Sequence, residues 1–181
     1  QWLIQLLNIY TGNLDRAGGV LPNDPVLPVT GPGTSRGHRG LWSSRVRGLP
    51  EFAGELPVAA LAEEILTPGD GQVRALITSA GNPVLSTPNG RNLDRALESL
   101  EFMVSMDIYL NETTRHADVI LPGVSPLEDF HYDVAFPQLS WRNHARYSPP
   151  VLPAAPDQPE EWQTLLKLAA IARGQGAEAD A

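Results

Sequence analysis

Three short apolar runs, the first two separated by a helical repeat, constrain the fold of this chain most strongly. The runs are Val73–Ser79, Phe102–Asp107 and Val119–Leu121. Short apolar runs bounded by turn residues are typical of buried strands. The helical repeat between the first two runs consists of Leu93, Ala96, Leu97 and Leu100. A strand, a helix, a strand, a short link and a third strand, in that order, predict an α/β fold: a parallel sheet with flanking helices.

Polar and turn-forming residues follow the first two predicted strands. Gly81, Asn82 and Pro83 come after the first strand, and Asp107 ends the second. Ligands of parallel sheets bind outside the carboxyl ends of the strands, which is where these residues fall. Gly81 lets a ligand approach the backbone amides closely, and Asn82 offers both a donor and an acceptor. The loop therefore suits a phosphate group at the start of a helix, although an ordinary turn explains the same residues.

Asp107 lies 26 residues after Gly81. Dinucleotide-binding folds place an acidic residue about 20 residues beyond the glycine loop, at the end of the second strand. A carboxylate in that place accepts two parallel hydrogen bonds, either from a ribose diol or from the ring N–H and amino group of a guanine. The pattern G-x-G-x-x-G is missing, so the ordinary NAD fingerprint is not present. A carboxylate that caps the following turn is the alternative.

The short link before the third strand contains side chains that either cap a turn or face a ligand. Asn111 is suited to cap the first turn of the link, with Thr114 three residues later, and we favour that structural role. The hydroxyls of Thr113 and Thr114 fit both roles. The two alternatives therefore stay open for these hydroxyls.

Composition excludes several classes of protein. The net charge of −8 argues against a nucleic-acid coat, which needs Lys and Arg against phosphates. A chain without Cys forms no disulfide and no thiolate-held iron–sulfur or zinc centre of its own. Glu128, Asp129, His131 and Asp133 look like a metal cluster, but their spacing fits no standard ligand set. The apolar runs are too short to span a membrane, and we expect a cytoplasmic location without membrane contact.

The chain divides by composition into residues 1–56 and residues 57–181. The first part is predicted to hold a short helix over Gln1–Tyr10, ended by Gly12, and a long Gly- and Pro-rich loop up to Gly54. The basic residues of this loop are Arg36, His38, Arg39, Arg45 and Arg47. They form either an anion-binding or partner-docking loop or a solvated surface segment, and we favour the solvated surface.

The second part contains the predicted sheet and further helices. A helix is expected over Leu56–Leu66, with Leu61 and Ile65 on its packing face. We also expect a short strand around Leu139–Arg142 and a last helix over Trp162–Ala172. Because the first residue is not Met and the end is rich in Ala, we expect the chain to be a segment of a longer polypeptide.

Three stretches of the sequence together resemble one protein family. They are TGNLDRAGG at Thr11–Gly19, GNPVLSTPN at Gly81–Asn89, and FMVSMDIYLNETTRHADVILP at Phe102–Pro122, which is followed by Glu128. This combination closely resembles the molybdopterin oxidoreductases, the superfamily of dimethyl sulfoxide reductase, formate dehydrogenase and nitrate reductase. The D…ET…ADVILP pattern carries most of the specificity.

The resemblance implies a fold, a cofactor and site residues. In this family the catalytic subunit binds a bis(molybdopterin guanine dinucleotide) cofactor with molybdenum. This segment would belong to the Rossmann-like domain that holds one guanine dinucleotide arm. Gly81, Asn82 and Pro83 would lie in the loop that approaches the dinucleotide. Asp107 matches the aspartate that reads the guanine, and Thr113 lies on the turn that follows.

The resemblance also implies that the chemistry lies elsewhere in the catalytic subunit. Family members often carry Glu-x-x-Gly and an aromatic-x-Asn run after the ADVILP strand, whereas this chain has EDFHYD at Glu128–Asp133. The iron–sulfur cysteines, the molybdenum ligand and the C-terminal cofactor domain are not in this segment, which would be an interior piece. We therefore expect no catalytic residue in this segment. We expect no activity and no bound cofactor for the isolated chain.

Two classes of function are consistent with these residues. The first is a cofactor-binding segment of a formate dehydrogenase-like molybdopterin oxidoreductase. Its partners would be the remaining domains of the same polypeptide and iron–sulfur or other electron-transfer subunits. The second is a non-catalytic scaffold of the same fold without the cofactor, as in the large iron–sulfur subunit of respiratory complex I. The presence of Asp107 and of the Gly81–Pro83 loop favours the first class.

Overall fold

The structure, a computed structural model, describes residues 2–21, 23–28, 37–176 and 178. Its helices are α1 (Trp2–Tyr10), α2 (Leu61–Leu66), α3 (Pro83–Ser86), α4 (Gly90–Glu98) and α5 (Glu161–Ala172). Its strands are β1 (Arg39–Ser43), β2 (Pro50–Phe52), β3 (Ala75–Ser79), β4 (Phe102–Met106), β5 (Val119–Leu121), β6 (His131–Tyr132) and β7 (Tyr147–Ser148). Short 3₁₀ turns lie at Val58–Ala60, Thr114–His116 and Phe136–Leu139.

The chain forms two compact units. Among the described residues, those within 37–129 and 152–181 make the larger unit, and those within 1–36 and 130–151 make the smaller one. The division at residue 56 that composition indicates stays a prediction. The larger unit contains the predicted sheet.

The central sheet is parallel and has the order β3-β4-β5. β4 lies in the middle, with Ala75 opposite Phe102 on one side and Val104 opposite Val119 on the other. All three predicted strands are confirmed, and so is the prediction of an α/β fold with a Rossmann-like parallel sheet. The order of the elements explains the parallel pairing, because a helix or link carries the chain back to the same edge before each new strand.

The core lies between this sheet and the helices on one of its faces. Its fully or almost fully buried members are Ile65, Val84, Leu93, Ala96, Leu97 and Met103. Three of them form the stripe predicted on α4, so that helix packs on the sheet with the face that its sequence period indicates. Burial of each large apolar side chain contributes about 1.5–3 kcal/mol, which is the main reason that α4 is stable at this length.

The first strand is not buried, contrary to the expectation for Val73–Ser79. β3 begins at Ala75, and its residues alternate between exposed and half-buried. Ile77 is 48% exposed, whereas Leu76 packs against the core. The reason is position: β3 is an edge strand, whereas β4 has a neighbouring strand on each side.

A β-hairpin occupies part of the region expected to be a long loop. β1 and β2 pair antiparallel, and Glu51 on β2 is fully buried. Its carboxylate accepts hydrogen bonds from the backbone N–H of Leu41 at 3.0 Å and of Gly54 at 2.9 Å, and it contacts His38. The prediction of a loop without secondary structure was wrong here, because a buried carboxylate, and not apolar periodicity, joins β1 to the segment that follows β2.

The basic residues near this hairpin are mostly paired with carboxylates. Arg45 lies 3.4 Å from the Glu64 carboxylate and donates to the Thr67 carbonyl at 2.6 Å, and Arg47 pairs with Glu63. Arg36 lies outside the described residues. These pairs join the hairpin to α2, so the paired arginines act within the fold and do not form a free anion-binding loop.

The helix expected over Leu56–Leu66 is divided. A 3₁₀ turn precedes α2, and Pro57 sits just before that turn. Ile65 is buried and Leu61 packs beside it, as the sequence predicts.

The smaller unit contains α1 and the short β6–β7 pair. α1 is confirmed, and Gly12 follows it with φ of +67°, the left-handed conformation that ends many helices. The strand expected around Leu139–Arg142 was wrong. Leu139 ends a 3₁₀ turn that contains Pro137, which favours a helical first turn and cannot donate to a strand ladder.

Candidate functional site

The candidate site lies at the carboxyl edge of the central sheet. β3 ends at Ser79 and β4 ends at Met106, and these residues are opposite each other in the sheet. The backbone N–H of Ala80 donates to the Met106 carbonyl at 2.8 Å, which continues the pairing one residue past β3. The loop after β3 and Asp107 therefore leave the sheet side by side, in the place where parallel sheets bind ligands.

The loop after β3 has an unusual backbone. Ala80 has φ of +54° and Gly81 has φ of +76°, so two successive residues adopt the left-handed conformation. For a residue other than Gly this conformation costs roughly 1–2 kcal/mol. A Cβ added to Gly81 would meet nothing within 4 Å, so the backbone angle explains this glycine and packing does not. The space beside Gly81 is open to a ligand.

Asn82 uses both polar atoms of its side chain within the protein. Its Nδ2 donates to Glu112 Oε2 at 2.6 Å, and its Oδ1 accepts from the Thr113 hydroxyl at 2.7 Å. The sequence predicts a side chain that offers these atoms to a ligand. In the structure they instead hold the loop after β3 against the loop after β4.

The hydroxyl of Thr113 makes its hydrogen bonds within the protein. Thr113 is fully buried, and its Oγ1 accepts from the backbone N–H of Val84 at 3.1 Å while donating to Asn82. The Thr114 hydroxyl is also internal, because it donates to the Tyr109 carbonyl at 2.9 Å. Of the two roles that the sequence leaves open, the hydroxyls occupy the structural one.

Asn111 caps the turn, as predicted. Its Oδ1 accepts from the backbone N–H groups of Thr113 at 2.9 Å and Thr114 at 3.0 Å. Its Nδ2 donates to Asp107 Oδ2 at 3.3 Å. The cap of the turn therefore also orients the carboxylate at the end of β4.

Asp107 is half-buried directly after β4. Its Oδ1 accepts from the backbone N–H of Tyr109 at 2.9 Å, in addition to the bond from Asn111 to its Oδ2. The turn-capping alternative is therefore present in the structure. An ionised carboxylate has about four acceptor positions, so the two bonds orient Asp107 and leave capacity for a ligand.

Glu112 stands at the other end of the same hydrogen-bonded network. The side-chain hydrogen bond from Asn82 lowers the pKa of its carboxyl below the ordinary value, helped by its own backbone N–H. The positive charge of Arg115 acts in the same direction. Glu112 is exposed, so its position depends on the contact with Asn82 and not on burial. The sequence marks Glu112 only as the Glu of the D…ET…ADVILP pattern and assigns it no role.

A second cluster of polar side chains holds the 3₁₀ turn at Thr114–His116. Arg115 donates to both oxygens of Asp94 on α4, at 2.6 and 2.9 Å, and His116 Nε2 lies 2.7 Å from Asp94 Oδ1. The hydrogen bond with His116, and then that with Arg115, lowers the pKa of the Asp94 carboxyl. The cluster ties α4 to the 3₁₀ turn, and no sequence signal connects residues so far apart in the chain.

Two further properties of the described residues concern metals and membranes. No group of three or more His, Asp or Glu side chains within the described ranges is placed to hold a metal ion. Glu128 instead accepts a hydrogen bond from the backbone N–H of Ser125 at 3.0 Å. None of the helices in the part of the chain that the structure describes is long and apolar enough to cross a membrane.

A cavity of about 800 Å³ lies beside the end of β5 and does not include Gly81 or Asp107. Its walls come from the end of β5, from α5 and from the segment before that helix, and they include Leu121, Pro122, Gln158, Lys167, Leu168 and Ile171. The polar network is therefore separate from this cavity.

Three of the known proteins with similar sequences are subunits of redox enzymes, and the description of one of them names molybdopterin. The assimilatory nitrate reductase catalytic subunit of Bacillus subtilis is 43% identical over 60 residues, which are 33% of this chain and 8% of that protein. The F420-dependent formate dehydrogenase 1 subunit alpha of Methanococcus maripaludis is 37% identical over 62 residues, or 34% of this chain and 9% of that subunit.

A third relative matches a longer part of the chain. The thiosulfate reductase molybdopterin-containing subunit of Salmonella typhimurium is 28% identical over 142 residues, 70% of this chain and 19% of that subunit. The chain thus spans only a small part of the length of each of these relatives. The family model for molybdopterin oxidoreductase matches residues 3–169. This match includes both units and the whole candidate site, and the chain belongs to the molybdopterin oxidoreductase family.

Proposed function

We propose that this chain is the segment of a molybdopterin oxidoreductase that binds the guanine dinucleotide arm of the molybdenum cofactor. One observation carries the proposal: the Asp107 carboxylate leaves the central strand at the carboxyl edge, is oriented by two hydrogen bonds and keeps free acceptor capacity. A planar pair of donors, as on guanine, matches such a carboxylate.

The loop after β3 is proposed to approach the dinucleotide through its backbone. The N–H groups of Gly81 and Asn82 donate to no other described residue, and the space beside Gly81 is open. Pro83 begins α3 and has no N–H of its own, so it limits the donors of the loop to these two. Thr113 completes the site by positioning Asn82 and not by touching the ligand.

The donor set of this site fits a nucleotide and not a metal. Backbone N–H groups bind phosphate oxygens, and an oriented carboxylate binds guanine donors. In the full enzyme, bis(molybdopterin guanine dinucleotide) with molybdenum would supply the redox chemistry. The residues of this chain would bind and orient one arm of it, so the chain contributes affinity and geometry.

The reaction and the partners of the full enzyme are also proposals. We propose a formate dehydrogenase-like oxidoreductase, since a formate dehydrogenase subunit is among the relatives. The remaining domains of the same polypeptide would enclose the cofactor, and iron–sulfur or other electron-transfer subunits would exchange electrons with it. Location in the cytoplasm stays a prediction.

The test is the substitution Asp107→Asn in the full natural polypeptide that contains this sequence. Asn places an N–H group against a guanine donor, so the affinity for the dinucleotide should fall by about ten- to a hundredfold. The measurement is the guanine nucleotide released per polypeptide after acid hydrolysis. Asp70→Asn, in the exposed turn before β3, makes the same charge change away from the site and serves as the control.

Two results would overturn the proposal. If Asp107→Asn retains its full guanine nucleotide content, Asp107 does not bind the guanine. A wild-type polypeptide that contains no guanine nucleotide would instead favour the scaffold alternative.

A further inference from the structure

The hydrogen bonds around Asn82 form a chain with one direction. Val84 N–H donates to the Thr113 hydroxyl, the hydroxyl donates to Asn82 Oδ1, and Asn82 Nδ2 donates to the Glu112 carboxylate. The direction is fixed at both ends, because a backbone N–H can only donate and an ionised carboxylate can only accept. The two ends of this chain of bonds therefore determine the orientation of the Asn82 amide.

The same network reaches Asp107. Asn111 joins Asp107 to the backbone N–H of Thr113, and the Thr113 hydroxyl joins that residue to Asn82. One carboxylate thus terminates the network at the end of β4, and a second one, on Glu112, terminates it beside the loop after β3. Without Glu112, Asn82 Nδ2 would have no acceptor here, and its hydrogen bond would no longer orient the amide towards the segment between β4 and β5.

We propose that Glu112 is a positioning residue of the dinucleotide site, acting through Asn82 to hold the loop after β3 in register with Asp107. This inference rests on the proposed function, since the ligand it serves is the guanine dinucleotide. Glu112 is exposed and directs its carboxylate to the Asn82 amide at 2.6 Å. Its effect on affinity passes through the backbone N–H groups of Gly81 and Asn82, whose direction the Asn82 side chain sets.

The pair can be tested by reversing its polarity. Asn82→Asp keeps the acceptor for Thr113 but places a carboxylate against that of Glu112, so repulsion should displace the loop. Glu112→Gln keeps an acceptor but removes the charge, and charge-assisted hydrogen bonds are roughly twice as strong as neutral ones. In the double variant the introduced glutamine amide donates to the introduced aspartate, which restores the pair with the donor and acceptor exchanged.

The experiment measures GMP binding by calorimetry to the full natural polypeptide freed of cofactor. We expect affinity to fall about tenfold or more in Asn82→Asp and about threefold in Glu112→Gln, and to return to within about threefold of wild type in the double variant. Backbone hydrogen exchange of residues 84–87 should rise and recover in the same order. Glu98→Gln, exposed at the end of α4, is the control for charge and should bind GMP as the wild type does.

The outcomes separate this inference from the proposed function. If Asp107→Asn weakens GMP binding while both variants of the pair bind normally, Glu112 has no positioning role and the proposed function stands. A double variant that binds no better than Asn82→Asp also overturns the inference, because the two residues are then not coupled. If the wild type does not bind GMP, or if Asp107→Asn binds it normally, the proposed function fails and the inference fails with it.

Discussion

The hydroxyl of Thr113 donates a hydrogen bond to the side-chain oxygen of Asn82 at 2.7 Å, although 31 positions separate the two residues in the chain. Thr113 is fully buried, so water cannot replace this bond. The hydroxyl also accepts from Val84 N–H at the start of α3. A single buried oxygen therefore joins the loop after β3, the helix that follows it and the turn before β5.

Thr113→Val should destabilise this corner of the sheet more than Thr113→Ser does. Valine keeps the shape but leaves Val84 N–H and Asn82 Oδ1 without a partner, which costs about 1–3 kcal/mol. Serine keeps the hydroxyl and loses one methyl group, about 1 kcal/mol. Hydrogen exchange of α3 in the full polypeptide measures the difference. Equal exchange in the two variants would show that the methyl group, and not the hydroxyl, matters.

Gly81 and Gly90 should respond to alanine for different reasons. At Gly81 the space is open, so Gly81→Ala carries only the cost of the positive φ, roughly 1–2 kcal/mol. At Gly90 a Cβ would lie 1.8 Å from the Val84 carbonyl oxygen, so α3 and α4 must move apart. The yield of folded protein and its thermal unfolding should therefore suffer more in Gly90→Ala. The reverse order would contradict the packing of α3 against α4.

The Asp94 cluster predicts a dependence of local stability on pH. The pKa of the Asp94 carboxyl is below the ordinary value of 3.8, because His116 and Arg115 stabilise the ionised form. Such a group contributes stability that is fully present above the ordinary pKa and is lost as the pH falls through the lowered one. Asp94→Asn should therefore reduce the protection of α4 at neutral pH, and the gap from the wild type should close in acid.

Hydrogen-exchange protection factors of α4, corrected for the intrinsic effect of pH, measure this gap. Other carboxylates that titrate in acid, such as Glu51, are the same in both proteins and cancel in the comparison. Asp70→Asn is the control, since its side chain lies in an exposed turn. A gap that widens in acid would contradict a lowered pKa for Asp94.

The isolated chain of 181 residues should contain no stoichiometric molybdenum and should not turn over formate with an artificial dye. Metal–pterin chemistry comes from the cofactor and its immediate ligands, and this chain has no Cys to bind molybdenum or an iron–sulfur cluster. Metal analysis and the dye assay, with the full natural polypeptide measured in parallel, check this prediction. Stoichiometric molybdenum in the isolated chain would refute it.

Sequence periodicity predicts the helices and strands whose buried faces follow from local spacing in the chain. The stripe that includes Leu93, Ala96 and Leu97 predicts α4 because one helix face buries all three residues. The three apolar runs predict the parallel strands, because they too follow from local spacing. The cap by Asn111 follows from a contact within three residues. The polar residues at the two strand ends could be placed together because parallel strands end at one edge.

The features that sequence reasoning missed depend on partners far apart in the chain. The β1–β2 hairpin forms around the buried carboxylate of Glu51, which has no periodic signature. Nothing in the sequence indicates that the polar atoms of Asn82 face Glu112 and Thr113. By itself the sequence determined the order of the elements and which faces are apolar, since those follow from local spacing. Only the tertiary structure decided the direction of the Asn82 amide, because hydrogen bonds select their partners by distance and angle after the sheet has formed.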